Sequence, residues 1–296
     1  MSVTGNITAI SRGSLHDGKG IRTVVYLKGC GLRCKWCHNP ETFSMEKDII
    51  FNPQKCIHCG RCIDICHKNH IVENDDVVFR RDGCIKCGKC ADVCPSGALS
   101  VSGKNMTVDE VYHEIVKDIH YYTETGGGVT LSGGECLLQA DFAGELLKKC
   151  KENGINTLIE SAFYVPYENV KKVLPYVDCV YADLKIPEPD KHKEYTGHGN
   201  ELIIENIRKL SFEFDNIFIR IPLIPGVNDG MDDMKKFKDI ISTFGTGIKG
   251  VELLKYNYLA ESKYNSLGKV YNSFGTTTQT DKDVEILYKQ LGNFNN

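Results

Sequence analysis

Cysteine spacing constrains the fold of this 296-residue chain more than any other feature of its sequence. The chain has 14 cysteines, and most of them fall in three regularly spaced groups between Cys30 and Cys94. No apolar signal segment follows Met1 and no run of eighteen apolar residues occurs, so we expect a cytoplasmic protein. In such a chain, this many thiols predicts metal ligation rather than disulfide bonds.

The first group, Cys30, Cys34 and Cys37, has C-x3-C-x2-C spacing and follows the apolar, β-branched residues 23–27. That run predicts a strand, so the three thiols are expected at the carboxyl end of a strand. Three thiolates leave one iron of a 4Fe–4S cubane without a protein ligand, and an open position allows a metal to do chemistry. A zinc or disulfide site is the alternative, but zinc needs a fourth ligand and His38 directly adjoins Cys37.

The flanking residues carry a family resemblance, because HDGKGIRT precedes the strand and LKGCGLRCKWCHNPE surrounds the cysteines. Both segments resemble the radical S-adenosylmethionine (radical SAM) superfamily, in particular the activating enzymes of glycyl radical enzymes. The resemblance implies that the amino and carboxylate groups of SAM chelate the fourth iron. An electron from the reduced cluster then gives methionine and a 5'-deoxyadenosyl radical, which abstracts hydrogen from a backbone glycine of a partner enzyme. Trp36 and His38, on either side of Cys37, are expected beside the cofactor.

Residues 48–103 contain an internal repeat, CIHCGRCIDIC followed by CIKCGKCADVC. Each copy has the C-x2-C-x2-C-x3-C spacing of two-cluster bacterial ferredoxins, in which the fourth cysteine serves the other cluster. The expected cluster ligands are therefore Cys56, Cys59, Cys62 and Cys94 for one cluster, and Cys84, Cys87, Cys90 and Cys66 for the other. Two zinc knuckles are the alternative. The insertion would relay electrons to the first cluster or only stabilise the fold. His67 stands where the second copy has Pro95, so the turn after Cys66 is expected to differ.

From Met106 onward, apolar runs alternate with amphipathic segments, which predicts parallel strands joined by crossover helices. Predicted strands cover residues 129–132, 156–160, 179–184, 216–221 and 250–254, and the first helix covers residues 108–121. With the strand before Cys30 these make six, fewer than the eight of a closed barrel. The fold class is α/β. The resemblance implies a partial (β/α)6 barrel, residues 1–47 and 104–296, interrupted by the ferredoxin-like insertion, residues 48–103.

The resemblance also assigns cofactor contacts to residues at or after the predicted strand ends: Gly133, Gly134, Glu135, Asp183, Lys185, Arg220 and Asn257. Asn257 replaces a histidine that the family often has, so it can form hydrogen bonds but carries no charge. Asp183 and Lys185 project to one side of their strand because side chains alternate, and an exposed ion pair is the alternative. Asp17, Glu160 and Asp183 resemble the ligands of a monovalent cation, or they balance the sulfonium charge.

The partners follow from charge and from the resemblance. A formal net charge of -3 without a basic stripe argues against nucleic acid and anionic membranes. The resemblance implies a protein substrate, a glycyl radical enzyme of the dehydratase, decarboxylase or C–N or C–S lyase type, such as hydroxyproline dehydratase. A flavodoxin or ferredoxin-type protein would donate electrons, in an anaerobic host. The rival functions are a radical SAM enzyme acting on a small molecule and a ferredoxin-type electron carrier.

Overall fold

The computed structural model describes residues 3–292 and 294, so residues 1, 2, 293, 295 and 296 of the expected barrel segments lie outside the described part. The strands are β1 Thr4–Ser14, β2 Arg22–Leu27, β3 Asp48–Phe51, β4 His70–Glu73, β5 Asp76–Phe79, β6 Leu99–Ser102, β7 Lys104–Thr107, β8 Gly128–Gly133, β9 Asn156–Ser161, β10 Cys179–Asp183, β11 Ile217–Pro222 and β12 Ile248–Leu254. The helices are α1 Arg61–Ile65, α2 Lys89–Asp92, α3 Val108–Val116, α4 Ile119–Thr125, α5 Ala140–Glu152, α6 Tyr167–Val173, α7 Pro189–Thr196, α8 Glu201–Glu213, α9 Met231–Ile241, α10 Glu261–Ser266 and α11 Asp281–Leu291.

The central sheet has eight strands in the order β12-β11-β10-β9-β8-β2-β1-β7. The six strands from β2 to β12 in this order are parallel to their neighbours, which confirms the predicted α/β fold with a central parallel sheet. Strands β1 and β7 extend the sheet in antiparallel pairing beyond β2 and were not predicted. The pairing of β1 with β2 shifts register at two places, so β1 lacks the regular alternation that marks a strand in a sequence.

One hydrophobic core joins the parallel strands to the helices. Leu131 of β8 and Ile159 of β9 are fully buried together with Leu146 of α5, Ile207 of α8 and Phe237 of α9. Each large apolar side chain buried in this way stabilises the fold by about 1.5–3 kcal/mol. The core therefore fixes the parallel strands, and with them the positions of the residues that follow each strand.

The predicted helix over residues 108–121 is two helices in the structure, α3 and α4. Thr107 begins α3 with a capping box, in which its hydroxyl and the Glu110 carboxylate each accept a backbone N–H of the other residue. The interruption lies at Asp118, whose buried carboxylate accepts hydrogen bonds from Thr23 (2.8 Å) and Arg12 (3.0 Å). These partners lie far away in the sequence, so helical periodicity does not reveal the break.

Residues 48–103 form two small sheets of their own. Strand β3 pairs with β6, with Asp48 opposite Ser102, and β4 pairs with β5. The insertion therefore begins with β3 and ends with β6, and these two strands pair with each other. Two basic side chains attach the insertion to the rest of the chain. The buried Lys28 has its Nζ 3.4 Å from Asp48 Oδ2 at the start of the insertion. The half-buried Arg81 of the insertion donates to the backbone carbonyls of Ile49 and, outside the insertion, Ser266.

Candidate functional site

The carboxyl ends of the parallel strands surround a cavity of about 340 Å³. Its lining includes Ser132 of β8, Glu160 of β9, Asp183 of β10, Arg220 of β11 and Leu254 of β12. Five adjacent strands in a flat sheet would spread over roughly 19 Å, since neighbouring strands lie about 4.8 Å apart. The sheet must therefore curve around the cavity for all five strands to reach it.

The predicted cysteine loop follows β2 and closes one side of this cavity. Cys34 and Cys37 line the cavity together with Trp36 and His38, while Cys30 lies at the start of the loop. Burial raises the pKa of Cys30 and Cys37 to about 12, and it also raises the pKa of Cys34. Because a metal binds the thiolate, iron must displace these protons when it enters the loop.

Helix α7, which was not predicted, supports the cysteine loop. The backbone N–H of Lys35 donates to the Tyr195 carbonyl (3.0 Å), and the Trp36 ring lies against Tyr195 and Phe274, with ring centroids 6.4 and 6.2 Å apart. The sequence of α7, PDKHKEYT, is mostly polar, so it shows no amphipathic pattern. Its one signal is Pro189 at the first helical position, which is a favourable place for proline.

Asp183 and Lys185 form an ion pair inside the cavity, with Lys185 Nζ 2.7 Å from Asp183 Oδ2. Their side chains are 29% and 13% exposed, so this is not the exposed pair of the alternative interpretation. Leu184 between them is fully buried on the other side of the chain. Burial alone would lower the pKa of Lys185, but the Asp183 carboxylate raises it, so Lys185 stays charged beside the cysteine loop.

Arg220 lines the cavity and connects three neighbouring parts of the fold. Its Nη1 lies 2.6 Å from Glu160 Oε1, its Nε lies 2.9 Å from Glu252 Oε2, and its Nη2 donates to the His16 carbonyl. The guanidinium also lies over the Tyr181 ring, 3.7 Å from the centroid. Burial raises the pKa of Glu160 to about 7, although Arg220 opposes the shift. Glu252 was not predicted; its signal is a single acid within the apolar run of β12.

The glycines of the Gly133-Gly134-Glu135 turn are packed against the start of the cysteine loop. Gly134 donates to the Leu27 carbonyl (2.9 Å) and Glu135 to the Gly29 carbonyl (2.7 Å) through their backbone N–H groups. A Cβ atom on Gly134 would lie 2.1 Å from the Gly29 carbonyl oxygen, so only glycine fits there. The turn therefore fixes where the cysteine loop begins.

The Glu135 side chain is buried behind the cavity and, among the described residues, does not belong to the cavity lining. Its carboxylate accepts hydrogen bonds from the Ser161 hydroxyl (2.8 Å) and the Ala162 N–H (3.0 Å), and the residue is 1% exposed. Burial raises the pKa of Glu135 to about 7. In this structure the carboxylate holds the end of β9, and its contact with a cofactor stays a prediction.

Asn257 lines the cavity, and its backbone carbonyl lies 2.8 Å from His38 Nε2. Asp17 lies near Glu160, and its carboxylate accepts a hydrogen bond from Ser14. Across residues 3–292 and 294, no three His, Cys, Asp or Glu side chains converge closely enough to hold one metal ion. A cation on the three acids stays a prediction.

Comparisons with known proteins identify the family of the chain. The model of the radical SAM superfamily matches residues 24–237. The chain is 42% identical to the (2S)-3-sulfopropanediol dehydratase activating enzyme of Klebsiella oxytoca, over 91% of this chain and 87% of that protein. It is 39% identical to the trans-4-hydroxy-L-proline dehydratase activating enzyme of Clostridioides difficile, over 95% of both chains.

The chain belongs to the radical SAM superfamily, among the glycyl radical enzyme activating enzymes. The radical SAM methyltransferase of Sphaerobacter thermophilus shares its fold, with a TM-score of 0.54 at 13% identity, over 96% of this chain and 74% of that chain. Family membership establishes a 4Fe–4S cluster and SAM as the cofactors of this radical SAM enzyme. None of the helices within the described residues is both long and apolar enough to cross a membrane.

The cysteines of the insertion in this radical SAM enzyme are arranged in two groups. One small cavity is lined by Cys56, Cys59, Cys62 and Cys94, the four that the ferredoxin spacing assigns to one cluster. In the other group, the pKa of Cys90 is raised to about 11, chiefly by burial, with smaller contributions from the neighbouring Cys84 and Cys66. Cys94 of the second copy therefore lies beside the first three cysteines of the first copy, whereas the matching assignment of Cys66 to the other cluster stays a prediction.

The two copies of the repeat also share a backbone conformation. His58 and Lys86, the residues before the second cysteine of each copy, have φ angles of 55° and 54°. Gly60 and Gly88, directly after that cysteine, have φ angles of 75° and 86° and begin α1 and α2. Left-handed backbone on both sides of a cysteine wraps the chain tightly around one point, as a cluster requires.

Proposed function

We propose that this enzyme cleaves SAM at a 4Fe–4S cluster on Cys30, Cys34 and Cys37 and activates a partner enzyme through one backbone glycine. When bound, the reduced cluster supplies the electron that splits the sulfonium into methionine and a 5'-deoxyadenosyl radical, which takes a hydrogen atom from the glycine. The supporting observation is that the cysteine loop and the carboxyl ends of five parallel strands, four of them with polar side chains, share one cavity. This arrangement favours a partial (β/α)6 barrel over residues 1–47 and 104–296.

The charges in the cavity suit both ends of the SAM methionyl group. Asp183 and Glu160 provide negative charge for the ammonium and sulfonium, while Lys185 and Arg220 provide positive charge for the carboxylate. Asn257 offers a neutral hydrogen-bonding group at the rim. Trp36, His38 and the Gly133-Gly134-Glu135 turn then keep the cysteine loop in position around the cofactor.

For residues 48–103, we propose a ferredoxin-like domain with two further 4Fe–4S clusters, which receives electrons from a flavodoxin or ferredoxin-type donor. The cavity lined by Cys56, Cys59, Cys62 and Cys94 and the matched backbone of the two copies support this assignment. The partner is a glycyl radical enzyme of the dehydratase or lyase type, because the relatives are activating enzymes of such proteins.

The test is anaerobic incubation of the reduced enzyme, SAM and a candidate glycyl radical enzyme, followed by electron paramagnetic resonance (EPR). We expect a doublet from the Cα hydrogen of the glycyl radical, which collapses to a singlet when the partner contains α-deuterated glycine. A partner variant with alanine at the glycine is the matched control and gives no doublet. Formation of 5'-deoxyadenosine without a glycyl radical on any candidate partner would instead favour a small-molecule substrate.

A further inference from the structure

His70 is a buried histidine in the insertion whose ring nitrogens form no hydrogen bond within the described part of the chain. It is 1% exposed, and among the described residues neither Nδ1 nor Nε2 has a hydrogen-bond partner. Its ring stacks on Phe79, with centroids 4.8 Å apart and planes 14° from parallel. A buried polar side chain without a partner is costly and needs an explanation. The ring nitrogens therefore point to a group that only the loaded protein contains.

The strand register of the insertion identifies that group. Phe51 and Phe79 each stand at the same distance before the first cysteine of their copy of the repeat. Phe51 pairs with Leu99 in one small sheet, and Phe79 pairs with His70 in the other. His70 therefore occupies in one half of the insertion the position that Leu99 occupies in the other half.

Leu99 shows what this position faces. It lines the cavity of the first cysteine group, and its backbone N–H lies 3.4 Å from Cys94 Sγ. The internal symmetry therefore predicts that the His70 side chain faces the second group, which contains Cys66. The backbone N–H of His70 donates to the Cys66 carbonyl (3.1 Å), which places the residue directly beside that group.

We propose that a ring N–H of His70 donates a hydrogen bond to a sulfur atom of the cluster on Cys66, Cys84, Cys87 and Cys90. This inference rests on the proposed two-cluster insertion. A neutral imidazole carries one N–H in either tautomer, so a donor is present at neutral pH. A hydrogen bond to a cluster sulfur stabilises the more negative, reduced cluster and raises its reduction potential. Because Leu99 cannot donate in this way, the two clusters differ in potential, and the electron rests on the cluster beside His70.

The test is a redox titration of the fully loaded enzyme, monitored by EPR. The His70→Leu variant places at position 70 the residue found at the symmetric position, Leu99. At a fixed potential, the reduced-to-oxidised ratio of one insertion cluster should fall roughly tenfold, which corresponds to a midpoint potential lower by about 59 mV. His67→Leu is the matched control, because His67 also follows Cys66 but is exposed, and its potentials should equal those of the wild type. Unchanged potentials in a fully loaded His70→Leu variant would refute the proposal.

A second measurement does not depend on the variant assembling. In wild-type enzyme labelled with ¹⁵N-histidine, pulsed EPR of the reduced clusters should detect a weakly coupled imidazole nitrogen, and its absence contradicts the hydrogen bond. The iron content shows whether a negative result means that the hydrogen bond is missing or that the insertion does not hold two clusters. About twelve irons per chain means that the insertion holds its two clusters, whereas about four means that it holds none.

Discussion

Replacing Arg220 with methionine removes the cavity-lining guanidinium that joins Glu160 of β9 to Glu252 of β12. The Arg220 and Glu160 side chains are 11% and 15% exposed, and their charged atoms lie 2.6 Å apart. With about 4 Å between charge centres and an effective dielectric constant of about 20, this pair contributes about 4 kcal/mol. Glu252 is 37% exposed and screened by water, so we count only Glu160.

Removing one partner of a buried ion pair costs about 3–5 kcal/mol, which agrees with the Coulomb estimate. Glu160 already has a pKa of about 7 with Arg220 present, so without it the carboxylate takes up a proton and loses its charge. Since about 1.4 kcal/mol corresponds to tenfold, we expect kcat/KM for SAM cleavage to fall roughly 100-fold or more in Arg220→Met.

The assay is 5'-deoxyadenosine formation by reduced, fully loaded enzyme, with iron content measured for each variant. Arg220→Lys is the matched control: its single ammonium retains the charge but not the fork that reaches both acids, so activity should lie between those of the wild type and Arg220→Met. If Arg220→Met cleaves SAM as well as the wild type, Arg220 does not organise the site.

Three further predictions concern the loop, the turn and the insertion. Burial raises the pKa of Glu135 from 4.5 to about 7, so the folded chain binds a proton that the unfolded chain releases, and stability falls as pH rises through this window. Thermal unfolding of Glu135→Gln should show a smaller fall than the wild type, because Glu160, whose pKa is raised to about 7 as well, still contributes. Cys34→Ala should abolish 5'-deoxyadenosine formation, whereas Cys87→Ala should retain the radical cluster but lower the iron content. Lys28→Met removes a fully buried ammonium that donates to the backbone carbonyl of Glu41 and lies near Asp48, so limited proteolysis should cut residues 41–48 faster than in the wild type.

The parallel strands were predictable because strands buried on both faces appear as continuous apolar runs, and each ends in polar residues. Strand β1 was not predictable from the sequence, because its two register shifts disturb the alternation of buried and exposed side chains. The break between α3 and α4 depends on Asp118 bonding to Arg12 and Thr23, which only the folded chain brings together.

In the site, the family resemblance led to Asp183, Lys185, Arg220 and the cysteine loop because each lies at or just after the end of a predicted strand. It did not reveal the direction of Glu135, since a strand-to-helix turn has the same sequence whether its carboxylate faces the cavity or the end of β9. Glu252 was missed for a related reason: an acid inside an apolar run becomes meaningful only when Arg220 on the neighbouring strand reaches it.

The central claim is that the cluster on Cys30, Cys34 and Cys37 has one iron free to bind SAM. It is tested most directly by pulsed EPR of the reduced enzyme with SAM labelled with ¹⁵N at the amino group. We expect a ¹⁵N coupling to the cluster that appears on addition of SAM and is absent from Cys34→Ala. A reduced cluster whose spectrum does not respond to labelled SAM would contradict the account.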